Sequence, residues 1–279
     1  MTRPSHLPEY ENPPINEVVM GVQFATPNGY QQIYAGEVRD LFKDKFPKVR
    51  ELEPLLPTFE TFGLPQQQQM NFGFFAGMSH NRYWFLSADE AQLIQFQNDR
   101  FFHNWRKIGD GKNPYPRFDE IILNFNDELN SLNSFFENHE AFGKNSLSIN
   151  QCELTYINQI NLSANDGQKI RAIENNKEFS KWIKLFNFEK VDLDDFSFFY
   201  RKALKNEDNK YYGRFIFEIS NSINKMNEPI LVMNLTVRGT PRGSSTIDAE
   251  AFLREARILI VNEFDQVTTS FAHKTWKRK

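Results

Sequence analysis

The order of helices and strands implied by this chain is its strongest constraint, because one order occurs twice. Val18, Met20, Val22 and Phe24 fall at every second position, which predicts a strand over Ile15–Phe24. Tyr30, Tyr34, Val38, Leu41, Phe42 and Phe46 recur at helical spacing, so a helix is expected over Gln31–Phe46, stopped by Pro47. A phenylalanine-rich stretch from Met70 to Trp105 reads as an antiparallel meander. Within it Met70, Phe72, Phe74, Ala76 and Met78 alternate, and strands are expected over Tyr83–Leu86, Leu93–Gln97 and Arg100–Trp105. Phe118, Ile121, Ile122, Phe125, Leu129, Leu132 and Phe136 then mark one face of a helix over Phe118–His139. The second pass has a strand over Leu147–Leu162 and a short helix near Phe179–Phe186. Strands over Phe196–Leu204, Tyr211–Ile219 and Ile230–Val237 follow, and a helix over Asp248–Val267 closes it.

Short polar loops between consecutive strands imply antiparallel pairing. An α+β fold follows: a mainly antiparallel sheet covered by long helices. The repeated strand–helix–strands–helix order divides the chain into residues 1–140 and 141–279, two halves packed as one compact unit. This order is close to the helix-grip or TATA-box-binding-protein-like arrangement, in which a curved sheet cradles a long helix. That likeness is topological and carries no function.

Composition narrows the setting. Phenylalanine is the outlier, at 28 of 279 residues. Such residues are expected to fill the core, with some left to line an apolar groove or a dimer face. A single cysteine, Cys152, cannot form an internal disulfide and suits a reducing compartment. No apolar run approaches ~18 residues. Neither a transmembrane helix nor a secretory signal is therefore expected, and a cytoplasmic location is. His6, His80, His103, His139 and His273 show no metal-ligand spacing, so no metal and no cofactor are expected. Residues 1–140 carry 12 basic and 19 acidic side chains, whereas residues 141–279 carry 21 and 17. Any nucleic-acid affinity would thus fall to the second half and its ending in Lys274, Lys277, Arg278 and Lys279.

Two segments resemble a family. Pro13-Pro14-Ile15-Asn16-Glu17-Val18-Val19 is similar to the opening of a sporadically distributed family of uncharacterised bacterial proteins. Leu154-Thr155-Tyr156-Ile157-Asn158-Gln159-Ile160 resembles its mid-chain strand, with Thr155 and Gln159 where arginine is common. The closing helix, ending Val267-Thr268-Thr269 and followed by Trp276, is similar to the family's closing pattern. The resemblance singles out Glu17, Tyr156 and Asn158 and implies no known activity. Patchy distribution implies genes that move horizontally, as phage-defence and toxin–antitoxin genes do.

Three constellations carry candidate chemistry. Arg238, Gly239, Arg242 and Gly243, followed by Ser244, Ser245 and Thr246, form a basic glycine-containing loop that leads into a helix. Free backbone N–H groups there would favour an anion. Asp192, Asp194 and Asp195 form a carboxylate cluster of the kind that holds Mg²⁺. Trp105, Arg106 and Lys107, beside His103, mix aromatic and basic groups as single-strand nucleic-acid binders do. No catalytic grouping stands out. The expectation is a non-enzymatic binding protein acting through a protein partner, with a groove between the halves that would also serve homo-oligomerisation. Two alternatives stay open: a nucleic-acid-binding protein using the basic second half, and an enzyme acting on a phosphorylated substrate at Arg238–Thr246.

Overall fold

The computed structural model describes residues 7–63, 80–109, 113–143, 146–162, 176–184 and 196–279. The strands among them are β1 (Ile15–Phe24), β2 (Lys48–Leu52), β3 (Arg82–Leu86), β4 (Gln92–Gln97) and β5 (Arg100–Arg106), then β6 (Ile149–Asn161), β7 (Ser197–Lys205), β8 (Tyr211–Ile223) and β9 (Pro229–Gly239). The helices are α1 (Ala35–Phe42), α2 (Phe118–Asn138), α3 (Asn176–Trp182), α4 (Thr246–Val267) and α5 (Ser270–Thr275). The strands form one sheet in the order β2-β3-β4-β5-β1-β6-β9-β8-β7, and each pairing is antiparallel. The α+β expectation is therefore correct in class.

The strand order follows a rule seen in both series. In the first, the last strand, β5, returns to lie beside the first, β1. In the second, β9 returns to lie beside β6. The two first strands, β1 and β6, then pair at the centre, with Val18 opposite Tyr156 and Val22 opposite Cys152. That pairing makes one sheet from both halves of the chain.

Alternation sorts the two faces of the sheet. Val18, Met20 and Val22 of β1, Leu154 and Tyr156 of β6, and Met233, Leu235 and Val237 of β9 are buried on the helix side. The helices complete that core. Phe118, Ile121, Ile122, Phe125, Leu129, Leu132 and Phe136 of α2 are all buried, as are Phe252, Ala256, Ile260 and Phe264 of α4. The opposite face alternates as Glu17, Val19, Gly21 and Gln23 on β1, and as Gln151, Glu153, Thr155 and Ile157 on β6.

Several boundaries differ from the sequence reading. The first helix begins as a 3-10 turn at Gln32–Tyr34 and is regular only over Ala35–Phe42. Strand β2 was not foreseen, because Lys48–Leu52 is an exposed edge without alternation. Helix α5 was not foreseen either. The alternation Met70–Met78, the carboxylates Asp192, Asp194 and Asp195, and Phe186 lie outside the described residues.

Candidate functional site

Strand β6 places Tyr156 and Asn158 two residues apart, hence on one face. That face meets a half-open pocket of about 140 Å³, lined by the N-terminal arm, the start of α2 and one side of α4. From α4, Arg257, Ile260, Val261 and Phe264 reach it at the i, i+3, i+4, i+7 spacing that aligns side chains on a helix. Pro8, Tyr10 and Pro13 line it from the arm, and Tyr115, Arg117, Phe118 and Asp119 from the start of α2.

Its walls are apolar and its polar groups converge. The Tyr115 and Tyr156 hydroxyls lie 3.3 Å apart. Burial pushes both phenols above their ordinary range, Tyr115 well above it. Both hydroxyls thus stay neutral at physiological pH and serve as hydrogen-bonding groups. Asn158 is buried and donates from its amide to the carbonyls of Met233, at 3.1 Å, and Tyr156, at 3.4 Å. Arg257 donates to the Asp119 carboxylate at 3.3 Å and lies 4.7 Å from the centre of the Phe118 ring. Asp119 also sits in the first turn of α2, where a negative charge complements the helix dipole.

Arg117, at the mouth, is strained. It caps α2 with φ 77° and ψ 155°, a region nearly confined to glycine that costs about 1–3 kcal/mol. Its guanidinium donates to the carbonyl oxygens of Tyr10 at 2.8 Å and Glu11 at 3.1 Å, tying the arm across the opening. Tyr10 in turn donates to Asp265 on α4 at 2.6 Å. Burial opposes the charge on Asp265, but hydrogen bonds from Arg278 and Tyr10 outweigh it and hold its carboxyl below the usual range.

The residues singled out by sequence scatter. Tyr156 and Asn158 come together in this pocket. Glu17 does not: it lies on the opposite face of the sheet and accepts from Asn104 at 2.6 Å. Arg238 lies on that face too, paired with Glu153 and Glu60. Burial opposes its charge, yet the two carboxylates raise its pKa. It is therefore not available as the anion ligand that the loop pattern suggested. Gly239 serves a close approach of β8 and β9, since a Cβ there would strike Tyr212 O and lie 2.6 Å from Gly213 Cα. The Ser244 carbonyl accepts from the Ile149 amide. Ser245 caps α4 reciprocally with Asp248, so a carboxylate of the chain already occupies the helix start. A Cβ on Gly243 would run into that same carboxylate. Arg242 is exposed and pairs with Glu255 at 3.2 Å.

The aromatic–basic group is corrected as well. Trp105 is 3% exposed and packs against Tyr115 at 5.4 Å, so it presents no stacking face. Arg106 is held by Glu90, and Lys107 donates from its backbone to Asn16 at 2.7 Å. The basic ending is no free tail. Residues 277–279 bond with residues 9–11 through the backbone, Lys277 pairs with Glu11, and Arg278 pairs with Asp265. Lys274 is exposed on α5.

Tyr10, Tyr115, Arg117, Asp119 and Arg257 were missed by sequence reasoning. One signal was present: a strongly amphipathic helix preceded by Pro116-Arg117 rather than by Ser, Thr, Asp or Asn, the usual residues at that position. Gly239→Ala should lower stability by about 1–3 kcal/mol, because the added methyl meets backbone and not a movable side chain. Urea denaturation measures this, and a change within ~0.5 kcal/mol would exclude the close-approach role.

The fold is thus of the α+β class, a helix-covered antiparallel sheet with a pocket beneath its two long helices. Compared with models of protein families, with curated proteins and with solved structures, the chain matches none. Among the described residues no group of three His, Cys, Asp or Glu side chains is placed to hold a metal. No described helix is long and apolar enough to cross a membrane.

Proposed function

We propose that the protein is a non-enzymatic binding protein that works through a protein partner, and that the pocket beneath α2 and α4 receives one side chain of that partner. The strained Arg117 carries this reading. Backbone held in a glycine region by its surroundings concentrates at sites of function, and Arg117 is held there by the arm that lines the pocket. The volume fits a single aromatic ring. The apolar walls, with the Tyr115–Tyr156 hydroxyl pair, suit a ring with a hydrogen-bonding tip. Partner interfaces typically centre on such anchors.

The matched strand orders support a duplicated helix-grip or TATA-box-binding-protein-like unit, residues 1–140 and 141–279, as the origin of the sheet. The family resemblance of Pro13–Val19 and Leu154–Ile160 adds a setting to the proposal, phage defence or toxin–antitoxin function in the cytoplasm. Lone, buried Cys152 suits that compartment.

Val261→Trp is the test, because Val261 lines the pocket yet is partly exposed. An indole there fills the space without displacing the core. The tagged chain captured from its native host is expected to retain one stoichiometric partner through nuclease treatment, and the variant to lose it. A partner that the variant retains would overturn the pocket's role. Partners that vanish on nuclease treatment would move the reading to the basic second half.

A further inference from the structure

The face of the sheet turned away from the helices is polar, and a segment of this chain lies across it, strand after strand. Leu55 is read by Gln97 of β4, whose side-chain oxygen accepts from the Leu55 amide at 2.9 Å and whose nitrogen donates to its carbonyl at 3.0 Å. Arg100 of β5 donates to the same carbonyl at 3.0 Å. Gln23 of β1 repeats the pattern on Thr58, at 3.2 and 3.0 Å, and Gln151 of β6 donates to the Thr58 carbonyl. Arg214 of β8 donates to the Thr61 carbonyl at 2.6 Å.

The residues read by backbone are thus every third one: 55, 58 and 61. A polyproline II helix turns once in three residues and rises ~3.1 Å for each, or about 9.3 Å a turn. Two strand spacings of ~4.8 Å span about 9.6 Å. The step from β4 to β1 crosses two spacings and so matches one turn of that helix, while the step from β1 to β8 crosses three and is bridged by the long Arg214 side chain. Pro54 and Pro57 keep the same three-residue period. Two side chains are read as well: the Glu60 carboxylate is 4% exposed and meets Arg214 at 2.8 Å and Arg238 at 3.3 Å, and the Phe62 ring stacks on Tyr211 of β8 at 4.9 Å beneath Arg214.

The segment is oriented opposite to a lid over a core. Its backbone faces the sheet, while Leu55, Leu56 and Phe59 remain 43%, 47% and 51% exposed. What holds it is a pattern of backbone groups, one carboxylate and one aromatic ring, which another chain can present equally well. We propose that this face is a receptor for extended, proline-containing acidic segments of a protein partner, and that residues 53–63 occupy it in cis where such a segment would bind. The site is separate from the pocket beneath α2 and α4, so either assignment can fail alone.

Cis occupancy keeps the local concentration of the competing segment high, on the order of millimolar. The test therefore uses the full chain with residues 53–63 replaced by glycine and serine in equal number. The probe is a labelled synthetic peptide with the sequence of residues 53–63, followed by fluorescence anisotropy. Saturable binding at one peptide per chain is expected, weakened about tenfold when the peptide carries Glu60→Gln. It should vanish when Gln23→Ala and Gln97→Ala are added to the protein. Absent binding to a folded variant, or binding indifferent to the carboxylate, overturns the proposal. Should the replaced chain fail to fold, the single variant Glu60→Gln serves. Its weakened strap should let the acidic peptide bind about tenfold more tightly than to the wild type, and equal binding would overturn the proposal.

Discussion

Glu128→Ala should remove about 3–5 kcal/mol of folding stability, although the residue lies on an amphipathic helix where a carboxylate would ordinarily face water. Glu128 points inward from α2. One oxygen meets His103 Nδ1 of β5 at 2.7 Å, and the other accepts from Lys45 at 2.8 Å. The Glu128 and His103 side chains are 6% and 1% exposed. Removing the carboxylate leaves the imidazole buried, with Nε2 already lacking a partner among the described residues. The surface pair Lys202–Glu263, at the same 2.8 Å but with no buried imidazole behind its carboxylate, should be worth ~0–1 kcal/mol by comparison.

The contribution of Glu128 also depends on pH. Burial opposes its charge, but His103 and then Lys45 outweigh that and hold its carboxyl below the usual carboxylate range. A carboxyl depressed in the folded state stabilises fully above its unfolded pKa of ~4.3, and the benefit is lost as pH falls through the folded value. Urea midpoints at neutral pH and near pH 4 test this. The gap between wild type and Glu128→Gln should narrow at the lower pH, and a gap that widens would reject the assignment. The double variant His103→Leu with Glu128→Leu should regain most of the loss seen for Glu128→Ala, since an apolar pair has no buried charge to leave unpaired.

Trp276→Ala should cost a similar ~3–5 kcal/mol, as for a large core aromatic, and lower Tm by on the order of 10 °C. Trp276 directly precedes the basic run Lys277-Arg278-Lys279, yet it is 6% exposed. It stacks on Trp182 at 5.5 Å and packs against Phe264 at 5.2 Å and Tyr10 at 6.2 Å. Its carbonyl accepts from the Asn12 amide at 3.2 Å. Because Tyr10 and Phe264 also line the pocket, the substitution should loosen the arm and weaken partner capture along with stability. Thermal unfolding read beside the pull-down decides this. A loss of less than ~1 kcal/mol would mean that the ending is peripheral after all.

Most of the helix-and-strand order was legible because it depends on period alone. The strand Ile15–Phe24 and the helix beginning at Phe118 need only alternation or a 3.6-residue stripe, which the chain writes locally. The return of β5 and β9 to their first strands was consistent with short polar loops, but loops do not specify strand order. The sites were less legible. Tyr156 and Asn158 were noticed through a resemblance, not through their chemistry. Tyr10, Arg117 and Arg257 are ordinary residues in sequence, and only the crossing of arm, α2 and α4 makes them neighbours.

From the sequence alone came the α+β class, the two-pass layout and the apolar stripes that bury α2 and α4, since each follows from local spacing and the cost of exposing apolar surface. The tertiary structure alone decided that Arg238 is spent on Glu153 and Glu60, that Trp105 and Trp276 are interior, and that the proline-containing segment lies on the polar face of the sheet. These outcomes turn on which charged or aromatic group meets which partner across more than a hundred residues in several cases, and no local period encodes such a meeting.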